Sequence, residues 1–592
     1  MDKVKNNFNI IYKEFFKFSK KGAVAFLINA ILEPLPSFLI AILSKSLLNF
    51  LTNNRELNFI LKYLLSFVVF LFAINVVINL TYNILWPIVV NFRFQKLTEL
   101  GQTAMNLDYS LLEDYEVMEE FEIAKSSSSD NQNGFAGYIF NLSKTFKGII
   151  SFILNGLVLI FYLPLLIIPA ILLFVHNLKK SLASRNKTHE IKDMITKDFD
   201  RKEEYINSTI WDFSTGKEIR IFNISSMLLN KLEKIFGDKN KNVGEILKIE
   251  KDLFISNNIL WIVFEIITYL YIFILFASGR LQVDSIVMLI MVFSLFQKSL
   301  SDISDDFSKL YQNSLEIENY FSFVDKYPSG KEENSRKIKI SRIDSVEFKN
   351  VWFRYSKKSP YVLKNINFSL KNNEKLAIVG INGSGKSTII KLLLNFYKQD
   401  KGQILINGFD INDIEKKSLY SLVSSMFQES IIYSFPVAQN VAMSDSFDKR
   451  KVISALEEAN IYKEIDKFDE NIDKMMLRLI DDKGFVPSGG QSQKINFARS
   501  LYRDSDLLIL DEPSAFLDPF SEEKMIRSIT DATKDKMAIY ISHRLTTVKF
   551  CDKIILLKDG GIIERGNCDE MIDKKAQFYN MYMSQKKLFV KQ

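Results

Sequence analysis

Long apolar runs separated by polar stretches dominate the first 325 residues of the chain. Six of these runs approach or exceed the roughly 20 apolar residues that a helix needs to cross a bilayer. They lie at about 23–50, 58–90, 136–163, 164–178, 256–279 and 283–300. The third and fourth runs meet at Leu163 and Pro164, so the boundary between them stays open. The pattern predicts a bundle of six transmembrane helices within residues 23–325.

The polar stretches between these runs differ in length and charge. The stretches at about 91–135 and 179–255 are long and carry most of the Lys and Arg residues of this half. Basic loops mark the cytosolic side of a membrane, so both stretches and the basic N-terminus are predicted to be cytosolic. Residues 192–222 have apolar positions at helical spacing, so helices are expected to extend into the cytosol. The sequence SSSSDNQNG at 126–134 predicts a flexible turn.

Residues 1–22 precede the first apolar run and are too charged for a cleaved signal peptide. Their mixture of Phe, Ile and Tyr with Lys is typical of an amphipathic helix on the membrane surface, with its apolar side chains toward lipid. A solvated lead-in helix is the alternative.

Two glutamates interrupt the apolar runs. Glu33 stands beside Pro34 in the first run, and Glu265 lies in the middle of the fifth. Ionisable groups inside a bilayer are costly and usually face the interior of a bundle or a wet cavity. Each glutamate is therefore either a contact for transported cargo or part of a structural polar pair.

The pattern changes after residues 326–344, which contain Tyr-Pro-Ser-Gly and are predicted to be a linker. From 345 to 592, short β-rich runs alternate with helical patterns, which predicts an α/β domain. The apolar run KLAIV at 375–379 leads into GINGSGKST at 380–388 and then into an apolar helical run. A strand, a glycine-rich loop and a helix in this order are typical of a phosphate-binding loop.

The chemistry of this loop follows from its residue types. Glycines let backbone N–H groups surround phosphate oxygens at a helix N-terminus, which already favours anions. Lys386 is placed to reach the β- and γ-phosphates, and Ser387 to ligate Mg²⁺. The predicted phosphate-binding residues are Gly380, Asn382, Gly383, Ser384, Gly385, Lys386, Ser387 and Thr388.

A second motif, DLLILDEP at 506–513, runs from an apolar strand directly into two carboxylates. A continuous apolar run is typical of a buried parallel strand, and ligands gather at the carboxyl ends of such strands. Asp511 is predicted to hold Mg²⁺, directly or through water. Glu512 is predicted to act as general base on an attacking water.

A third motif, VPSGGQSQK at 486–494, places a Pro, a Ser and two Gly residues before a helical run. Taken alone, such residues form ordinary helix starts. Together with the two motifs above, however, it resembles the nucleotide-binding domain of ATP-binding cassette (ABC) transporters from about residue 346 onward. With the six preceding spans, the chain resembles an exporter-type half-transporter, a membrane domain fused ahead of a cytosolic P-loop ATPase domain.

The resemblance implies ATP and Mg²⁺ as cofactors and roles for further residues. Tyr355 matches the aromatic residue that stacks on adenine, Gln428 the glutamine that contacts Mg²⁺, and His543 the histidine that holds the γ-phosphate and the attacking water. The region from Tyr205 to Phe222, which contains TGKEIRIF, is similar to the region where exporters place a cytosolic coupling helix.

The resemblance also implies a dimer. The family signature, which binds the γ-phosphate of ATP held by the other subunit, matches Ser488, Gly489, Gly490 and Gln491. Residues 514–518 match a loop that crosses the dimer interface. Pro487 replaces the Leu with which the signature usually begins. Proline is tolerated at a helix start, so binding is expected to survive, although packing or hydrolysis could be affected.

The resemblance implies ATP-driven export, with a second copy of the chain or a related half-transporter as partner. TGKEIRIF and SGGQSQK are similar to bacterial exporters of peptides such as lantibiotics, so a peptide is the expected cargo. The alternatives are a lipid or multidrug exporter, half of a heterodimer, and an ATP-gated channel or sensor. The expected location is a bacterial plasma membrane, amid lipid, with the N-terminus and ATPase domain in the cytosol.

Composition narrows these functions only slightly. The net charge of +7 is small for 592 residues, and the six apolar runs argue against a soluble ATPase that acts on nucleic acid. The two cysteines cannot form a disulfide framework, and the three histidines show no metal-ligand spacing.

Overall fold

The computed structural model describes residues 2–195, 199, 201–328, 337–428, 430–513, 517–543 and 547–590. By contacts, the chain divides into two compact units. One comprises Met1–Leu107 with Leu111–Gly330, and the other Asp108–Ser110 with Lys331–Gln592. The predicted linker at 326–344 contains this boundary, and its residues 329–336 lie outside the described part.

Residues 2–326 are almost entirely helical where they are described. The helices are α1 Asp2–Phe18, α2 Lys20–Leu32, α3 Leu35–Thr52, α4 Leu57–Met105, α5 Tyr109–Leu112, α6 Tyr115–Ser126, α7 Gly134–Tyr162, α8 Ile167–Ile195, α9 Arg201–Trp211, α10 Gly216–Ile221, α11 Ser225–Ala277 and α12 Val283–Lys326. Short 3₁₀ turns at Pro164–Leu166 and Phe213–Thr215 precede α8 and α10.

Six helical segments of the described chain are long and apolar enough to cross a membrane, as predicted. They are Lys20–Thr52, Leu57–Met105, Gly134–Tyr162, Pro164–Ile195, Ser225–Ala277 and Val283–Lys326. Several extend far beyond the apolar runs that predicted them. The 53 residues of α11 correspond to a helix about 80 Å long, whereas the hydrocarbon core of a bilayer is about 30 Å thick. The protein is therefore a multi-pass membrane protein whose helices continue outside the bilayer.

The first membrane segment is interrupted at Glu33 and Pro34, between α2 and α3. Proline lacks an amide hydrogen and disrupts a continuous helix, which accounts for the break. The carboxylate of Glu33 forms an ion pair with Lys147 of α7. Glu265 accepts a hydrogen bond from the Tyr269 hydroxyl one turn later on α11. Both glutamates therefore have partners within the protein.

The lead-in helix α1 packs against protein with part of its apolar face. Ile11 and Phe15 are buried, and the Phe15 ring lies 5.5 Å from that of Phe92 in an edge-on contact. The expectation that the apolar side chains of this helix face lipid is wrong for these two residues. Tyr12 and Phe18 remain exposed. The side chains before residue 10 lie outside the described set.

The polar segment between α6 and α7 is a turn, as predicted, and it is held by many hydrogen bonds. Arg93 Nη1 donates to the carbonyls of Ser128 and Ser129, each at 3.0 Å. The amide of Gly134 donates to the Glu316 carboxylate at 3.1 Å. These bonds connect the turn to α4 and α12. The polar groups of the turn therefore serve as hydrogen-bond partners for groups on the neighbouring helices.

The second unit contains ten strands in the part of the chain that is described. They are β1 Ser345–Phe353, β2 Leu363–Lys371, β3 Lys375–Gly380, β4 Lys401–Ile406, β5 Phe409–Asp410, β6 Val423–Met426, β7 Leu507–Asp511, β8 Met537–Ile541, β9 Lys553–Lys558 and β10 Gly561–Gly566. One antiparallel sheet has the order β2-β1-β4-β5, and a six-stranded sheet has the order β10-β9-β3-β8-β7-β6.

Helices lie between these strands and, in the case of the last two, follow them. They are α13 Lys386–Leu393, α14 Lys416–Ser421, α15 Val437–Ala442, α16 Lys449–Glu458, α17 Tyr462–Ile465, α18 Gly489–Tyr502, α19 Pro519–Ala532, α20 Cys568–Asp573 and α21 Gln577–Val590.

The centre of the six-stranded sheet determines where a ligand can bind. Strands β6, β7, β8, β3 and β9 run parallel to one another. All five residues of β7 and of β8 are buried, as expected for strands covered on both faces. Their carboxyl ends meet at one edge of the sheet, where the residues that follow β3, β7 and β8 come together.

Candidate nucleotide-binding site

The predicted phosphate-binding loop joins β3 to α13 at this edge. Two of its glycines have left-handed backbones, Gly383 at φ +78° and Gly385 at φ +102°. Gly385 is the residue immediately before α13, so the loop delivers its backbone amides to the helix N-terminus. The Ser384 hydroxyl oxygen is buried without a hydrogen-bond partner among the described residues. A buried unpaired hydroxyl and a helix N-terminus fit an anionic group.

We predict that Gly385→Ala damages this loop more than Gly383→Ala. Both replacements meet a positive φ, which costs about 1–2 kcal/mol for a residue with a side chain. An added Cβ at Gly385 would lie 2.7 Å from Leu363 Cδ2 and 3.3 Å from the Val362 carbonyl, whereas at Gly383 nothing lies within 4 Å. Thermal unfolding of the full chain and binding of a fluorescent ATP analogue would measure the difference. Equal losses in the two variants would contradict the prediction.

Lys386 lies at the centre of the loop. Its ammonium donates hydrogen bonds to the carbonyls of Gly380 and Ile381, both at 3.1 Å. The side chain is buried, and this burial lowers the pKa of the ammonium, opposed by the nearby charges of Glu512 and Asp511. A cation held in this way offers its charge to the space that the loop encloses.

Asp511 ends strand β7 beside the loop and is buried. Burial, followed by the charge of Glu512, raises its pKa to about 6. The Ser387 hydroxyl lies 3.4 Å from Asp511 Oδ2. A hydroxyl and a carboxylate are the protein ligands that Mg²⁺ uses when phosphate oxygens and water complete its octahedron. By their chemistry these two residues fit a Mg²⁺ ion that a nucleotide also binds.

Glu512 follows Asp511, and both its backbone and its side chain are held by contacts with other residues. Its backbone has φ +49°, and its amide donates to the Ile541 carbonyl at the end of β8, 2.9 Å away. Its carboxylate contacts His543 Nε2 at 2.9 Å and accepts a bond from Gln428 Nε2 at 3.3 Å. A left-handed backbone at a non-glycine residue is strained and is maintained by such surroundings, often at functional sites.

The protonation of His543 follows from its surroundings. Burial lowers the pKa of the imidazole, and the positive charge of Lys386 lowers it further, while Glu512 acts in the opposite sense. The ring is therefore mainly neutral at pH 7. Because an ionised carboxylate can only accept, Nε2 carries the hydrogen that is donated to Glu512.

Tyr355 lies beside the helix that follows the loop. Its hydroxyl and that of Thr388 are 3.1 Å apart, and its ring packs edge-on against Tyr397 at 5.2 Å. The residue remains 45% exposed. The exposed part of the ring is available for stacking on a planar base.

The signature residues lie at the start of α18. Ser488 and Gln491 form a reciprocal capping box, with Gln491 Oε1 accepting from the Ser488 amide at 2.8 Å and Ser488 Oγ from the Gln491 amide at 3.3 Å. Gln491 also donates to Glu464. Gly489 and Gly490 form the first turn, which Pro487 precedes without breaking the helix. No hydrogen bond joins residues 488–491 to residues 380–388 in the described part of this chain.

One contributor to the site is absent from the sequence-based prediction. Gln493 is buried on α18, and its Nε2 lies 3.5 Å from the Glu512 carbonyl. The available signal was a polar residue four positions before the apolar Phe497, which shares its helix face and is also buried. Ser514, Ala515 and Phe516, from the predicted interface loop, lie outside the described residues.

The chain is similar to known transporters in sequence and fold. Residues 363–515 match the family described as ABC transporter. The chain is 32% identical over 382 residues to the subtilin transport ATP-binding protein of Bacillus subtilis, an alignment that covers 63% of this chain and 61% of that protein. It is 30% identical to a putative multidrug export ATP-binding/permease protein of Bacillus subtilis, over 52% of this chain and 53% of that protein. It is 32% identical to the ATP-dependent lipid A-core flippase of Escherichia coli, over 49% and 48%.

The chain thus matches only about half to three fifths of the length of these relatives. A solved bacterial Atm1-family ABC exporter with ATP bound has the same fold across nearly the whole chain. The TM-score is 0.80 at 19% identity, and the match covers 96% of this chain and 98% of that one. The resemblance seen in the motifs is confirmed: the chain carries an ABC transporter ATP-binding domain and has the fold of an ABC exporter.

Proposed function

We propose that the chain is one half of a dimeric ATP-driven exporter. The observation that carries this proposal is the assembly of Lys386, Ser387, Asp511, Glu512 and His543 at one edge of the parallel sheet. These residues provide a cation for phosphate, two oxygen ligands for Mg²⁺, and a carboxylate in contact with a neutral imidazole. A complete hydrolytic set in a chain with six membrane segments favours a pump over an ATP-gated channel or sensor.

The loop and Asp511 bind and orient the nucleotide in this proposal. Lys386 and the amides of residues 383–388 hold the phosphates, while Ser387 and Asp511 hold Mg²⁺. The exposed ring of Tyr355 stacks on the adenine. A bound Mg²⁺ supplies charge neutralisation at the phosphates. It also offsets the cost of ionising Asp511 in a buried position, because an adjacent cation favours the carboxylate.

Glu512 accepts the proton of the attacking water. Its two carboxylate oxygens are oriented by His543 and by Gln428 at 2.9 and 3.3 Å. Because His543 is neutral, it fixes the carboxylate without the charge that would weaken it as a base. The bond from Gln428 places an amide beside the carboxylate, where its carbonyl oxygen is available to the metal.

The signature supports a dimer. Ser488 to Gln491 present a helix N-terminus that suits an anion, yet they take no part in the phosphate site of their own chain. We infer that they complete the site of a second subunit. Four apolar side chains around α9 and α10 are exposed, which also indicates a partner, because such patches mark interaction surfaces. They are Trp211, Phe213, Ile221 and Phe222.

Transport requires that ATP and cargo each favour one state of the dimer. ATP shared between two chains favours closed ATPase domains, and hydrolysis at Glu512 releases them. We place the ATPase domain in the cytosol of a bacterial cell. The two long connections rich in Lys and Arg are expected on the cytosolic side of the membrane, and the ATPase domain on the same side. A peptide is the first cargo candidate, since the subtilin transport relative aligns over 63% of the chain. A lipid or lipophilic drug is the alternative suggested by the names of the other relatives.

Complementation between two inactive variants tests the dimer. Ser488→Arg damages the signature, and Glu512→Gln removes the base, so neither variant alone should hydrolyse ATP in lipid nanodiscs. In a mixed dimer one site combines the intact Glu512 of the first chain with the intact signature of the second. Mixing before reconstitution should restore about a quarter of wild-type activity, because half of randomly formed dimers are mixed and carry one complete site.

Two controls give this experiment its meaning. Mixing after separate reconstitution should restore nothing, because the dimers can no longer exchange. Wild-type activity without complementation would contradict sharing of sites between copies. An inactive wild-type chain would instead point to a related half-transporter as the partner.

A further inference from the structure

The first unit, which contains the six membrane segments, forms a large, partly open cavity that the ATPase site does not explain. Its volume is about 1380 Å³, above the roughly 300–1,000 Å³ of a pocket for a drug-sized ligand. All of its lining residues belong to the first unit, and they come from the first, second, third, fourth and sixth membrane segments and the turn before α7. Glu33 lines this cavity, whereas Glu265 does not.

Polar residues outnumber apolar ones in the lining, which also contains the aromatic residues Tyr82, Trp86 and Phe140. Nine of its residues are Asn or Gln, six are Lys or Arg, and three are Glu or Asp. The aliphatic residues in the lining are Ile78, Leu85 and Leu295. Glu33, Asn75 and Asn79 of the lining fall within the apolar runs, where polar and charged groups are costly and mark substrate pathways. A wholly lipophilic cargo would leave most of these groups without partners.

Part of this charge is paired within the protein. Lys147 pairs with Glu33, Arg185 with Glu250 at 3.0 Å, and Lys192 lies 3.8 Å from Glu316. These pairs account for half of the basic side chains that line the cavity.

The remaining charge lies mainly on one face of α12. Lys298, Asp302, Asp306 and Lys309 line the cavity at intervals of four, four and three residues, which places them on one side of a helix. Lys144 of α7 also lines the cavity. Within the described part of the chain, none of these five residues has an ion-pair partner within 4.0 Å, and at longer range the charges of the three lysines act on Asp302 and Asp306. The three lysines are exposed, and they outnumber the two aspartates.

This row of charges differs from a lipid-binding surface. It carries both signs, and its ends are separated by 11 residues, or about 16 Å along the helix axis. The side-chain amides of Asn and Gln around it both donate and accept, as the backbone of a peptide does. An extended polypeptide rises about 3.3 Å per residue, so a segment of about five residues matches the length of the row.

We propose that this cavity binds a hydrophilic peptide segment that carries acidic and basic side chains with the acidic ones in excess. Lys144, Lys298 and Lys309 bind its carboxylates, and Asp302 and Asp306 bind its basic groups. This inference rests on the proposed export function and specifies the cargo. It selects a charged peptide over a lipid or an uncharged lipophilic molecule.

Binding can be tested without turnover, in the full-length Glu512→Gln chain in nanodiscs of zwitterionic lipid. The probes are three fluorescent synthetic peptides of equal length, one mixed with acidic excess, one mixed with basic excess and one uncharged, and a neutral lipophilic dye. Fluorescence anisotropy reports affinity. The acidic-excess peptide should bind most tightly. Lys144→Gln, Lys298→Gln and Lys309→Gln combined should weaken it by about tenfold or more, because charge-assisted bonds are lost.

Matched variants separate this site from general electrostatic attraction. Lys179, Lys231 and Lys251 are exposed and do not line the cavity, so their combined replacement by Gln removes the same charge and should leave affinity unchanged. Lys298→Glu with Lys309→Glu should shift the preference toward the basic-excess peptide. Tighter binding of the dye, or equal effects of the two lysine sets, would overturn the inference.

The ATPase measurement distinguishes failure of this inference from failure of the proposed function. With Glu512 intact, the wild-type chain and its Lys179, Lys231 and Lys251 variant should hydrolyse ATP at the same basal rate, because the replaced residues line neither the nucleotide site nor the cavity. A chain that hydrolyses ATP but binds none of the peptides refutes the cargo assignment and leaves the ATPase half of the proposal standing.

Discussion

Glu512→Gln is expected to lower the rate of ATP hydrolysis by a factor of about 10² to 10⁴, the usual contribution of a general base, while ATP binding is retained. The amide keeps the size of the side chain, and its oxygen can still accept from His543 Nε2, while its NH2 group faces Gln428, whose own amide can turn to present its oxygen. The amide cannot accept the proton of the attacking water. Phosphate release by the chain in nanodiscs would measure the loss.

Glu523 provides the matched control. It is an exposed glutamate of α19 that pairs with Arg527 on the same helix. Surface pairs of this kind contribute little, so Glu523→Gln should hydrolyse ATP at the wild-type rate. Binding of a fluorescent ATP analogue should be unchanged in both variants. A Glu512→Gln chain that retained most of its activity would show that another group accepts the proton.

Lys386→Ala is expected to weaken ATP binding by about 100-fold, or about 2.7 kcal/mol, which is within the range of two lost charge-assisted hydrogen bonds. In the structure, the buried ammonium uses loop carbonyls as its acceptors, and phosphate oxygens would be stronger ones. Equilibrium binding of a fluorescent ATP analogue would measure the change. Hydrolysis should be lost together with binding, which distinguishes this variant from Glu512→Gln.

Lys398→Ala is the control for charge, because Lys398 is exposed a few residues beyond α13. The loss of bonds from Lys386 to Gly380 and Ile381 could also loosen the loop. Lys386→Met, which retains most of the aliphatic stem, keeps the packing and removes the charge. If Lys386→Met bound ATP as the wild type does, the lysine would be a structural residue of the loop.

The two variants with the largest expected effects test different steps, the binding of ATP and the chemical reaction. Lys386 affects the binding of ATP, because its positive charge is present before the water attacks as well as during the attack. Glu512 acts on the chemical step, because a proton acceptor matters only when the water attacks. A chain that lost binding in both variants would indicate that Glu512 is needed to maintain the loop through its contact with His543.

Several features could be predicted from the sequence because their physical causes are local. A run of about 20 apolar residues is long enough to span a bilayer wherever it occurs in the chain. The six membrane segments could therefore be recognised one by one. The order of strand, glycine-rich loop and Lys386 likewise depends on neighbouring residues. The helix α18 after Ser488 was also predicted, although the two glycines that the sequence places before it form its first turn.

Other features depended on residues far apart in sequence. The side chains of Glu512 and His543 meet because β7 and β8 are neighbours, and strand order does not follow from any single segment. The Glu33–Lys147 pair and the burial of Phe15 against Phe92 depend on which helices pack together. Sequence pattern gives a helix its apolar face but not the neighbour that covers it.

The sequence by itself therefore determined the membrane segments, the phosphate loop and the chemical types of the site residues, because periodicity, turn chemistry and motif spacing act over a few residues. The tertiary structure decided that Lys298, Asp302, Asp306 and Lys309 face a cavity. Their helical spacing is equally compatible with a solvated outer face. Only the packing of α12 among the other membrane helices places that face on a cavity, because what a helix face meets depends on the whole assembly of helices.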